Sequence, residues 1–189
     1  KVGDPSSVLK LRLYVDADFA GETDTARSTN GGYLVLVGPN TWFPLTWVTK
    51  KQTSTSRSTT ESEVVSLAYS LFHEALPAMA LWDVVLGRTV TLEIMEDNQA
   101  TMKVVASGYS AKLRHVSRTH KVDLSSIKEV LDLDNVKLLY VDTKLQCADI
   151  FTKCLPPCHW DNAIALLGMF TEVQLQSAFP GYVSDAAQP

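Results

Sequence analysis

The chain has 189 residues, 46% of them hydrophobic, which is enough for one well-buried core, and it carries no low-complexity stretch that would demand a second. With 17 basic residues against 21 acidic, its formal charge of −4 argues against a strong free-standing nucleic-acid binder, because phosphate affinity comes mainly from Lys and Arg. Cys147, Cys154 and Cys158 are odd in number and crowded late in the chain, which argues against a disulfide framework and for a reducing compartment, cytoplasmic or nuclear rather than secreted.

Leu9 to Val15 alternates apolar and polar residues, the two-residue period of a strand, and stops at Asp16. A polar, turn-rich segment from Gly21 to Asn30 leads to a second apolar run, Tyr33 to Val37, closed by Gly38-Pro39-Asn40. A third run, Phe43 to Val48, ends at Lys50-Lys51-Gln52, so the opening reads as an antiparallel meander. Ser58, Thr59 or Thr60 can cap a helix with Glu61 and Glu63 in its first turn, where the helix dipole favours acids. Val64, Leu67, Ala68 and Leu71 carry its apolar spacing, a kink is expected at Leu76-Pro77, and Met79 to Leu86 continues to Gly87.

Thr89 to Met95 predicts a strand ending at Asp97, parallel to its neighbours because helical segments flank it. Helices are expected over Gln99 to Ala106 and Val116 to Leu131, a strand over Val136 to Val141, and a helix from about Leu145 to Lys153. The predicted fold is α/β, a mixed five-stranded sheet with helices, filling residues 1–155. Residues 156–189 are expected to add a C-terminal helix and a tail that is mobile from Gly181 to Pro189. No apolar run reaches the length of a membrane span, no signal segment opens the chain, and the first residue, Lys1, suggests a piece of something longer.

Four acids sit at the ends of separate predicted elements: Asp16, Glu63, Asp97 and Asp149. Acids brought together from distant segments repel unless a cation lies between them, and magnesium takes hard oxygen ligands. The pattern points to metal-assisted chemistry on a phosphate ester. Glu61 and Glu63, two residues apart on a helix, point about 200° away from each other, so only one of them faces such a site. Glu63, followed by Val64, Ser66 and Leu67, fits better; Glu61 stays open as the alternative. Asp16 and Asp18 would share one face if the strand's alternation continued, which would make Asp18 a supporting acid, but a loop is expected to start there and Asp16 is favoured. Cys154, Cys158 and His159 lack a second ligand pair with zinc-finger spacing.

Six segments carry a resemblance. They are Asp16-Ala17-Asp18-Phe19-Ala20-Gly21, Arg27-Ser28-Thr29-Asn30-Gly31-Gly32-Tyr33, Thr46-Trp47-Val48-Thr49-Lys50-Lys51-Gln52, Ser58-Thr59-Thr60-Glu61-Ser62-Glu63, Glu96-Asp97-Asn98-Gln99 and Ala148-Asp149-Ile150-Phe151-Thr152-Lys153. In this order and spacing the chain resembles the ribonuclease H domain that ends the polyprotein of copia-type retrotransposons. The resemblance implies the ribonuclease H fold, two bound Mg²⁺ ions with Mn²⁺ as a substitute, and cleavage of the RNA strand of an RNA–DNA hybrid. It implies an upstream reverse transcriptase domain in the same polyprotein, and the lack of a membrane-length apolar run agrees with a partner set that includes no membrane. It places Asp16, Glu63, Asp97 and Asp149 on the family's catalytic, metal-binding acids. Asp16 is the candidate bridge, with Glu63 and Asp97 toward one ion and Asp149 toward the other. Two ions about 4 Å apart would activate the attacking water and stabilise the leaving 3′ oxygen.

Recognition of the hybrid then has to come from shape and from 2′-hydroxyls. Asn98 and Gln99 are placed for this, although Asn98 is equally suited to cap the following helix. Lys112, Arg114, His115, Arg118, His120 and Lys121 form the densest basic run and are candidates for the nucleic-acid backbone, the alternative being a solvated helix face. His115 and His120 are more simply structural than proton shuttles. The family usually has Trp at Phe19, Cys at Glu96, Pro at Cys154 and a Lys-His-Ile-Asp stretch where Thr119-His120-Lys121-Val122-Asp123 runs; Glu96 would either disturb metal binding or point outward. A non-catalytic domain that holds hybrid or supports a polymerase, an integrase-like enzyme and a protein-interaction module are the competing classes, in that order.

Overall fold

The computed structural model describes residues 3–22 and 24–170, and the expected tail from Gly181 to Pro189 lies outside them. Strands β1 (Lys10–Asp18), β2 (Thr29–Gly38) and β3 (Thr41–Lys51) form the antiparallel meander. β4 (Leu92–Glu96) and β5 (Val136–Tyr140) add in parallel, giving the order β3-β2-β1-β4-β5. This is the mixed five-stranded sheet that the sequence predicts.

Alternation along β1 divides the interior. Leu11, Leu13 and Val15 face helix α1 (Thr59–Ser70), whose Val64, Leu67 and Ala68 share their core. Tyr14 faces the other way, with Tyr33, Val35 and Val37 of β2, toward Val141, Cys147, Ala148 and Leu167. On β1 and β4 the pair Arg12 and Glu93 stand side by side, and the guanidinium donates twice to Glu93 Oε2, at 2.9 and 2.7 Å.

The helical run continues past α1 through a π turn, Leu71–Ala75, into α2 (Leu76–Leu86). The expected kink at Pro77 is this wide turn. Proline has no N–H and its ring crowds the carbonyl four residues back, and a looser turn absorbs the crowding. Gly87 ends α2 at φ 65°, a left-handed conformation that glycine adopts without a Cβ penalty. From Thr59 to Leu86 the run has 28 residues, and its most apolar 18-residue window has a mean hydropathy of 1.4, so by length and composition it does reach a membrane span. Half of that apolar window is buried inside the domain, as in a core helix.

Helix α3 (Gln99–Ser107) follows β4 as expected. The single helix predicted over Val116 to Leu131 is instead two, α4 (Val116–Thr119) and α5 (Leu124–Leu131). The break is made by Lys121, at φ 59°, and by Asp123, which accepts from the Ser125 N–H to start α5 anew. The helix expected over Leu145 to Lys153 is likewise replaced by two short 3₁₀ turns, Thr143–Leu145 and Asp149–Phe151. Gln146 between them is extended, its side chain donating to the Val15 carbonyl at 2.9 Å, which holds the segment against β1. Helix α6 (Pro157–Leu166) closes the described chain, and the Tyr33 hydroxyl donates to the Leu167 carbonyl behind it at 2.7 Å.

Candidate metal centre

Three acids converge where β1, α1 and β4 meet. Asp16 stands opposite Gly31 in the β1–β2 ladder. Glu63 lies in the opening of α1, whose start is set by Ser58, its Oγ accepting from the Glu61 N–H at 3.1 Å. One turn on, Ser66 Oγ donates to the Asp16 backbone carbonyl at 2.6 Å and fastens the helix to the strand. Asp97 directly follows β4, and its Oδ2 accepts from the Thr143 hydroxyl at 2.7 Å.

One carboxylate oxygen from each of Asp16, Glu63 and Asp97 lies within 4.8 Å of the others, with the first two buried. They line an open cleft of about 480 Å³, together with Thr59, Asn98, Gln99 and Lys153. Burial and the neighbouring charges of Asp16, Glu96 and Asp97 push the Glu63 carboxyl up to about 10. Its Oε2 is buried without a hydrogen-bond partner. An all-oxygen donor set, crowded negative charge and an orphaned buried oxygen all suit a hard divalent cation. Among the described residues this is the one group of His, Cys, Asp or Glu with such spacing, so Cys154, Cys158 and His159 assemble no centre.

Glu61 and Glu63 diverge as the helix geometry requires. Glu61 turns away from the cleft, its Oε2 accepting from the Arg57 N–H at 3.0 Å. Its Oε1 lies 3.1 Å from His115 Nε2 and 3.3 Å from His120 Nε2, the latter without hydrogen-bond alignment. Burial lowers the His120 pKa, with Glu61 opposing. Both histidines therefore serve the base of α1 rather than the three-acid cluster.

β1 runs on through Asp18, so its alternation continues and Asp18 shares the Asp16 face, yet it stays outside the cluster. Glu96 does not point outward: it is fully buried, its Oε1 accepts from the Asn98 N–H at 3.0 Å, and burial with the charge of Asp97 and Asp16 raises it to about 8.

Asp149 also stands outside the three-acid group, in the second 3₁₀ turn. Lys153 joins it to Asp16: its Nζ lies 3.0 Å from Asp149 Oδ1 and 3.2 Å from Asp16 Oδ2. Thr152 adds a hydrogen bond from its hydroxyl to Asp16 Oδ2. Burial and the charge of Asp16 bring Asp149 up to about 6, with Lys153 pulling the other way. Sequence reasoning passed over Thr143, Thr152 and Lys153. The four-residue step from Asp149 to Lys153 was a signal for the last of these; Thr143 had none.

The remaining sequence candidates border this region. Asn98 caps α3, its Oδ1 accepting from the N–H groups of Ala100 and Thr101 at 3.0 and 3.1 Å, while Gln99 is exposed beside it. Lys112, Arg114, Arg118 and Lys121 are all exposed along the 112–121 segment. Ser54 Oγ, in the Ser/Thr-rich entry to α1, donates to the Thr119 carbonyl at 2.9 Å and ties that segment to the approach to Glu63.

No protein-family model matches the chain. In three dimensions it superposes on a ribonuclease H1 isolated from compost, LC11-RNase H1, with a TM-score of 0.52 at 14% identity, covering 76% of this chain and 92% of that one. The fold is that of ribonuclease H. The same enzyme in complex with RNA/DNA hybrid gives a TM-score of 0.53 at 12% identity, covering 76% and 94% of the two chains. In sequence this ribonuclease H-fold chain is similar to the retrovirus-related Pol polyprotein from transposon RE1 of Arabidopsis thaliana, 29% identical over 164 residues and 86% of this chain. The Pol polyprotein from transposon TNT 1-94 of Nicotiana tabacum is 26% identical over 159 residues. The chain spans about 11% of the length of these polyproteins. Fold and relatives agree with the resemblance that the six motifs carry.

Proposed function

We propose that the chain is the ribonuclease H domain of a retrotransposon Pol polyprotein, a metal-dependent nuclease that cleaves the RNA strand of RNA–DNA hybrids beside an upstream reverse transcriptase. The observation that carries this reading is the meeting of Asp16, Glu63 and Asp97, from three separate elements, within 4.8 Å at an open cleft. The hybrid bound by LC11-RNase H1 supports the choice of substrate.

In this reading Mg²⁺, or Mn²⁺ in its place, supplies a lowered pKa for the attacking water and charge stabilisation at the leaving oxygen. Asp16, Glu63 and Asp97 would hold it, with Asp149 as the fourth acid. Burial and the charges of Asp16, Glu96 and Asp97 favour the protonated Glu63 carboxyl in the metal-free protein, and a cation held there would favour its ionised form. Thr143 fixes the carboxylate plane of Asp97, and Thr152 that of Asp16. Asn98 and Gln99 at the cleft edge meet the ribose side of the hybrid, while Lys112, Arg114, Arg118 and Lys121 meet phosphates. His115 and His120 stiffen the segment that presents them.

The test is incubation with end-labelled RNA–DNA hybrid, duplex DNA and duplex RNA, with Mg²⁺ or EDTA, beside Asp16→Asn. Hybrid-only cutting that needs metal and vanishes in the variant is expected; cutting in EDTA would overturn it. A second reading, a domain that binds hybrid without cutting it, draws on Lys153, whose ammonium already neutralises Asp16 and Asp149. Tight hybrid binding without cleavage would select it.

A further inference from the structure

Asp149 is drawn to Asp16 by an ammonium group. Lys153 Nζ lies 3.0 Å from Asp149 Oδ1 and 3.2 and 3.3 Å from the two oxygens of Asp16. The side chain is about one third exposed and lines the open cleft, so it has room to leave. The residue is held there by its own backbone, since the Lys153 N–H donates to the Asp149 carbonyl at 3.0 Å within the short turn. On the other side of Asp16, Glu63 has an unpartnered buried oxygen, and Lys153 acts on it only as the weakest of the surrounding charges.

We propose that Lys153 is an internal counter-ion that fills the position between Asp16 and Asp149 in the metal-free protein and competes with a divalent cation for it. The two sides of Asp16 are therefore unequal. The side formed with Glu63 and Asp97 shares the cleft with Lys153, but the ammonium pairs with Asp16 and Asp149 rather than with either of those acids, so the first ion meets less competition there. The side formed with Asp149 accepts an ion only when the ammonium swings out, because both positive groups would otherwise claim the same carboxylate oxygens within about 4 Å, where a neighbouring charge shifts an ionisation equilibrium by one to three powers of ten. Lys153 is a positioning residue here: it sets the order and relative strength of metal binding and holds the turn carrying Asp149 closed until the second ion arrives.

This inference rests on the metal-dependent reading above, and the experiment separates the two. Mg²⁺ is titrated into the full chain and into Lys153→Met and Lys153→Arg by calorimetry, with thermal melts in EDTA alongside. Wild type is expected to show one stronger and one weaker event. In Lys153→Met the weaker one tightens by about tenfold or more and the stronger one, which shares only Asp16 with the ammonium, tightens by clearly less, and the metal-free melting temperature falls as the unbalanced acids repel. Lys153→Arg, which keeps the charge, should behave as wild type in both readouts. If the second event is the same in all three proteins, or the metal-free melt of Lys153→Met does not fall, the counter-ion role is overturned while the metal site stands. If no Mg²⁺ binds to any of them, the metal-dependent reading itself fails.

Discussion

Gly31 lies so close to Thr152 that a Cβ on the glycine would stand 2.3 Å from Thr152 Cγ2, and 3.0 Å from the Ala148 carbonyl oxygen. Gly31 is also the ladder partner of Asp16. The missing side chain is thus what lets the 148–153 segment, with Asp149, Thr152 and Lys153, lie over Asp16. The conformation is ordinary extended strand, so the demand for glycine here is one of space. Gly31→Ala should force the segment off the sheet, because the backbone oxygen cannot yield as a flexible side chain would. A destabilisation of about 1–3 kcal/mol is expected from overpacking. Hybrid cleavage should fall further than the melting temperature suggests, measured at a temperature where the variant is fully folded.

The three clustered acids should separate activity from stability. Asp16→Asn, Glu63→Gln and Asp97→Asn are each expected to lower cleavage by orders of magnitude. In EDTA, Glu63→Gln should melt higher than the parent at pH 8, since it removes a buried acid crowded by Asp16, Glu96 and Asp97. A Glu63→Gln protein that is both inactive and less stable without metal would show that the carboxyl is structural.

The pH dependence of the metal-free domain follows with a definite sign. Glu63 is raised to about 10, Glu96 to about 8 and Asp149 to about 6. An acid whose folded pKa exceeds its unfolded one binds more protons when folded, so stability falls as pH rises above the unfolded value. For Glu63 that window runs from the ordinary carboxylate range to about 10. Melting temperatures in EDTA between pH 5 and 9 should therefore decline more steeply for the parent than for Glu63→Gln. The gain in melting temperature on adding Mg²⁺ should grow with pH, because the cation binds the ionised form.

Much of this arrangement was legible in the chain because local chemistry and tertiary packing agree there. Alternation from Leu9 to Val15 gave β1, and the Ser58 cap with its acidic first turn gave the start of α1. The helix angle separated Glu61 from Glu63 before any coordinates did. What failed to show has a common cause, a single residue whose backbone or side chain overrides local propensity. Lys121 takes a left-handed φ that a lysine does not advertise, and so the 116–131 pattern read as one helix. Gln146 spends its amide on the Val15 carbonyl, which unwinds a segment whose composition favours a helix. The inward turn of Glu96 was equally hidden, since it depends on the Asn98 N–H that its carboxylate accepts.

Glu61 offers a control for the neighbouring site. It is almost fully buried and is the acceptor for the Arg57 N–H and the neighbour of His115 and His120. Glu61→Ala leaves the buried His120 ring, and the partly buried Arg57 N–H and His115, without it and should cost about 1–3 kcal/mol in urea unfolding. Mg²⁺ affinity should stay near the parent value, because the residue points away from the cleft. Loss of metal binding in a folded Glu61→Ala protein would mean that Glu61, and not Glu63, is the ligand.

The exposed basic segment distinguishes a nucleic-acid grip from a solvated face. Lys112, Arg114, Arg118 and Lys121 project from a segment, including α4, that Ser54 and Glu61 tie to the base of α1, so their positions are fixed relative to the acids. The chain as a whole is negative, which leaves little long-range attraction to mask a local contact. In an Asp16→Asn background, which permits binding to be measured without cleavage, each replacement of one of these cations by Ala should weaken hybrid binding. A cation that touches a phosphate should also lower the slope of log affinity against log salt by about one. Arg114→Ala and Arg118→Ala are the sharpest pair, since neither side chain supports the metal site. An unchanged slope in both would make this stretch a solvated surface and leave the cleft edge at Asn98 and Gln99 as the candidate contact.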